Sequence, residues 1–75
     1  MNITELYAEI GRNRYSIPKL ARTIGISPKT LYKKLRSEVE FKQGEITRIA
    51  NTLHLSFDQI RCIFFTDFVS YKIHK

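Results

Sequence analysis

Serine followed closely by proline occurs twice in this chain, at Ser16-Ile17-Pro18 and at Ser27-Pro28, with Gly25 just ahead of the second pair. A serine hydroxyl caps a helix N-terminus, and proline belongs in a helix only within its first turn. Glycine takes the left-handed angles that stop a helix. The pattern therefore predicts a short helix opening at Ser16 and ending at Ile24, a tight turn through Gly25, and a second short helix from Pro28 to about Arg36. Ile17, Leu20, Ala21 and Ile24 form the apolar stripe of the first, and Leu31 and Leu35 that of the second. Lys29, Tyr32 and Lys33 then fall on the outer side of the second helix, with Lys34 at its edge.

The remaining segments also read as helices. Ile3, Leu6 and Ile10 recur at helical spacing from about Thr4 to Gly11, with Asn2 or Thr4 as cap and Gly11 as the stop. A fourth helix is expected over Gln43–Leu53, with Ile46, Ile49, Ala50 and Leu53 on one face. Lys42 is a poor cap for it, and Phe41 is placed to plug the core beforehand. Ser56 with Gln59 has capping-box spacing, and Leu55 is placed to staple onto Ile60. The fifth helix carries Phe57, Ile60, Ile63 and Phe64. Five helices with short connections make an all-α bundle over residues 1–65. Residues 66–75 form a tail in which Val69, Tyr71 and Ile73 alternate with polar residues, readable as a helix extension or as a strand.

Size and charge narrow the function. A chain of 75 residues has room for one core, and 43% hydrophobic residues argue against a disordered basic tail. Between Arg12 and Lys42 lie nine basic residues and two acidic ones, a surplus of +7, whereas the rest of the chain is close to neutral. A segregated basic half suits a polyanion, most simply nucleic acid, or else serves as a solvated face. Cys62 is the one cysteine, which excludes an internal disulfide and fits a reducing compartment. It is expected as a quiet, partly buried thiol. His54 and His74 lack the companions a metal site needs, so neither a metal nor a cofactor is expected. No Ser-His-acid spacing and no glycine-rich phosphate loop occurs, and no enzyme is expected. No apolar run is long enough to span a membrane, and no secretory signal opens the chain, so a cytoplasmic protein is expected.

A short helix, a glycine turn and a second helix with exposed lysines constitute a helix-turn-helix pattern. In that reading Leu20, Ala21, Gly25, Ile26, Leu31 and Leu35 are its core. Ala21 is small for a close helix crossing, and Ile26 anchors the turn. Residues Ser16 to Leu35, above all Leu20-Ala21 followed by Gly25-Ile26-Ser27, resemble the lambda-repressor-like, Cro/C1-type helix-turn-helix family of phage and bacterial regulators. The resemblance continues through Phe41, Glu45-Ile46, Ile49-Ala50 and Leu53-His54-Leu55-Ser56, covering about residues 4–64. It implies a compact five-helix domain that binds double-stranded DNA, with Pro28, Lys29, Tyr32 and Lys33 at base-reading positions. It implies phosphate contacts at Ser16, Ile17, Lys19 and Lys42, with Lys34 a further candidate. Ile17 stands where the family often has glutamine, and Pro28 offers no donor, so base contact would rest on Lys29 and Lys33. A palindromic site read by a homodimer is the natural arrangement. The alternative is a protein-directed modulator that binds a co-encoded phage repressor. Phe64, Phe65 and Phe68 read first as core and tail packing; together with Tyr71 they are also the candidate contacts for a second copy or such a partner.

Overall fold

The computed structural model describes residues 1–65. Phe68, Tyr71, His74 and the two readings of the tail lie outside the described residues. Five helices follow one another: α1 (Ile3–Arg12), α2 (Ile17–Ile24), α3 (Pro28–Leu35), α4 (Gln43–Leu53) and α5 (Phe57–Phe64). The described residues contain no strand. Leu6 and Ile10 of α1, Leu20, Ala21 and Ile24 of α2, Leu31 and Leu35 of α3, Ile49 and Leu53 of α4 and Ile63 of α5 make one core. Phe41 and Phe64 close it at one end, their rings edge to face at 5.5 Å.

Local chemistry accounts for most boundaries. Asn2, Ser16, Ser27 and Ser56 each accept a backbone N–H three residues on, the N-cap bond that satisfies an orphan donor. Ser56 and Gln59 complete a reciprocal capping box, at 3.1 and 2.8 Å. Gly25 sits at φ 86°, and the N–H groups of Gly25 and Ile26 both return to the Ala21 carbonyl. Nothing lies near enough to obstruct a side chain there, so the glycine answers to backbone angle alone. The Asn2 N–H donates to the Ile63 carbonyl at 2.7 Å, tying the start of α1 to α5.

Three expectations about the helices and their buried faces fail. Gly11 does not end α1; the helix runs to Arg12, and Asn13 caps it, donating its side-chain amide to the carbonyls of Glu9 and Leu53. Arg14 then takes the left-handed turn, at φ 60°. Phe57, expected on the inner stripe of α5, is 90% exposed, because the first helical position after the Ser56 cap points away from the core. Cys62 is exposed rather than partly buried, since Ile63 takes the inward position beside it.

Candidate nucleic-acid interface

The pair α2 and α3 is built as the capping residues require. Ala21 is fully buried, and its carbonyl receives the N–H groups of Gly25 and Ile26 in the turn. Ile26 packs against the core from the turn. Leu31 is fully buried and Leu35 nearly so, which fixes the rotation of α3 about its own axis. With that face committed, Lys29 is exposed, Tyr32 is 40% exposed, and Pro28 and Lys33 are half-buried at the margin. Among the described residues, Lys29, Lys33, Lys19 and Lys42 enter no ion pair. A positive ridge therefore runs along the outer side of a helix whose inner side is apolar. A ridge of this kind complements a groove lined by phosphates.

The flanking positions differ in what they offer. Ser16 is exposed and its hydroxyl caps α2, accepting the Lys19 N–H at 3.2 Å. The Lys19 ammonium lies 5.0 Å from the centre of the Tyr15 ring, a cation–π contact that steadies it beside the α2 N-terminus. The Ile17 side chain packs against the core, so only its backbone N–H could meet a phosphate. Lys42 is exposed and occupies the cap position of α4.

Lys34 does not belong to this surface. It is 3% exposed, and its Nζ lies 3.1 Å from Glu45 Oε1 and 3.0 Å from the Glu40 carbonyl, with the Phe41 ring nearby. One step of about 100° past Lys33 carries it off the outer face and under the connector between α3 and α4. Its charge is spent internally and is not available to a phosphate. Burial pushes the Glu45 carboxyl up, but the Lys42 N–H and the hydrogen bond and charge of Lys34 outweigh it, holding the group below the ordinary carboxylate range. Arg36 and Glu38 pair at 2.7 Å on the connector itself, both well exposed. Their mutual hydrogen bond, then their charges, raise the arginine and lower the glutamate.

Two residues escaped the sequence reading. Glu45 accepts the Lys42 N–H at 2.8 Å and so supplies the cap that Lys42, having no side-chain acceptor, cannot. The spacing from 42 to 45 is the half of a capping box that could have revealed it. Arg48 donates its Nε to the Ile24 carbonyl at 2.9 Å, fastening α4 to the end of α2 beside the turn. No local pattern marks that contact, which joins positions far apart in the chain.

Elsewhere, Phe57 and Phe65 stand at the rim of an apolar groove between α4 and α5, floored by Ile46, Ala50 and Ile60. Phe64 turns instead toward Phe41 and the core. Tyr7 is 46% exposed, and Tyr15 is half-buried. Among the described residues no group of His, Cys, Asp and Glu could hold a metal ion, and no helix is long and apolar enough to cross a membrane.

The family model described as bacterial regulatory protein, Fis family, matches residues 10–37, the stretch that runs from the end of α1 through α2 and α3. The match covers the helix-turn-helix and just beyond it, and marks the unit as one of the DNA-binding kind. Neither the curated proteins nor the solved structures contain a match to this chain.

Proposed function

We propose that this chain is a sequence-specific regulator of transcription of the Cro-like phage type, inserting α3 into the major groove of double-stranded DNA. The observation that carries the reading is the division of α3: Leu31 and Leu35 buried, Lys29, Tyr32 and Lys33 turned outward. Lys29 and Lys33 would donate to guanine O6 and N7, less rigidly than arginine would. Tyr32 would meet a phosphate or a thymine methyl, and Pro28 would contribute shape alone. Ser16, the Ile17 N–H, Lys19 and Lys42 would grip the backbone on either side. Two copies on a palindrome would double the reading length, and the protein would work on the bacterial host's nucleoid. Lys29→Ala with Lys33→Ala should abolish the mobility shift of an operator duplex while helical circular dichroism is unchanged. A shift that survives both substitutions removes α3 from the interface.

A second reading is favoured by the exposure of Phe57 and Phe65, a pair of aromatic rings on one groove. In it the protein modulates repression by seating the surface of a co-encoded repressor between α4 and α5. The two readings part in one assay on the flanking intergenic DNA. The direct reader shifts it alone; the modulator shifts it only when that repressor is added.

A further inference from the structure

Lys34 and Glu45 form the most deeply buried ion pair among the described residues, with side chains 3% and 7% exposed. An ammonium and a carboxylate taken out of water often contribute no more to stability than well-packed apolar side chains of equal volume. Methionine at 34 would continue the buried face of Leu31 and Leu35 on α3, and methionine at 45 that of Ile49 on α4, so bulk alone does not call for this pair. What a charged pair supplies and an apolar one does not is direction.

The directions converge on one oxygen. Glu45 Oε1 receives Lys34 Nζ at 3.1 Å from α3 and the Lys42 N–H at 2.8 Å from the head of α4. Lys34 Nζ also donates to the Glu40 carbonyl at 3.0 Å, which pins the connector leading from α3 to Lys42. One side chain on α3 thus holds the connector and, through Glu45, the cap of the next helix. Lys33, its neighbour in the chain, belongs to the groove-facing side, and Lys42 to the flanking one. We propose that Lys34 and Glu45 are positioning residues for DNA recognition, setting the distance between the base-reading lysines of α3 and the backbone contact at Lys42. The proposal rests on the DNA-reading function above.

The test uses the full chain and two probes: a duplex enriched by the wild-type protein from a random-sequence pool, and a scrambled duplex of the same length. The double variant K34M/E45M leaves the net charge unchanged, so non-specific attraction is held constant. It is expected to fold, to bind the scrambled duplex as the wild type does, and to lose about tenfold of its preference for the enriched one, the order of one good contact. The Lys42 amide should exchange with solvent faster in the absence of DNA. K34R, which keeps the charge but replaces one pivoting ammonium with a planar fork, should fold in any case and lose part of the preference. Wild-type preference retained in both variants overturns the positioning role. So does weaker binding of the double variant to the scrambled duplex, which would make Lys34 a phosphate contact after all. A wild-type chain that enriches no sequence overturns the DNA-reading function itself, and this proposal with it, before any variant is made.

Discussion

At the scale of single residues, the chain depends on a few positions whose chemistry has no substitute. Gly25 at φ 86° is one, and Gly25→Ala should lower stability by about 1 kcal/mol in chemical denaturation, a backbone penalty with no steric part, since the site is open. Leu31 is another. Leu31→Ala should lower stability by about 3 kcal/mol by leaving a cavity under α3, and thermal melting would show it directly. These positions were readable in the sequence because their causes are local: a serine cap, a proline in the first turn, a glycine at the stop. Gly11 was misread because Asn13 serves as the stop through bonds to two carbonyls, one of them forty residues away. Phe57 was misread because periodicity gives a stripe but not where it begins, and the first residue after a cap can fall outside it.

At the scale of helices, α3 and α4 are joined by polar bonds that composition does not disclose. Lys34 counted as one more charge in a basic run; the fold puts it under the connector, against Glu45 and the Glu40 carbonyl. Its helical position turns it off the outer face, and the connector and Glu45, brought there by the fold, decide that it is buried and paired rather than solvated. Glu45→Gln should therefore cost about 3 kcal/mol, because it leaves the buried Lys34 ammonium without a counter-charge. The effect should depend on pH in a definite direction. The folded carboxyl titrates below its ordinary value of 4.5, so the unfolded chain takes up the proton first. The stability gap between wild type and Glu45→Gln should be constant at neutral pH and narrow as pH falls below 4.5 through the folded value. A gap that widens with acid would contradict the arrangement.

At the scale of the whole molecule, charge and apolar surface occupy different places. Lys19, Lys29, Lys33 and Lys42 enter no ion pair among the described residues, and if one copy neutralises roughly four to six phosphates, the logarithm of affinity should fall against that of salt concentration with a slope of about −4 to −5. Filter binding across a salt series measures it. The exposed phenylalanines belong to the α4–α5 groove. Phe57→Ser should leave stability within about 0.5 kcal/mol of wild type, since the ring is 90% exposed, while reducing self-association or dye binding at that groove. The helix-turn-helix and its outer face were foreseeable because repeated short-range signals mark them. The groove was not, because it arises from two helices that meet only in the fold.

The bond from the Asn2 N–H to the Ile63 carbonyl has a further consequence. Met1 and Phe65 border the same hollow, so both ends of the described chain emerge along one edge. The first turn of α1 and the last turn of α5 should therefore open together, so that the slow-exchanging amides of both ends lose protection as one cooperative event.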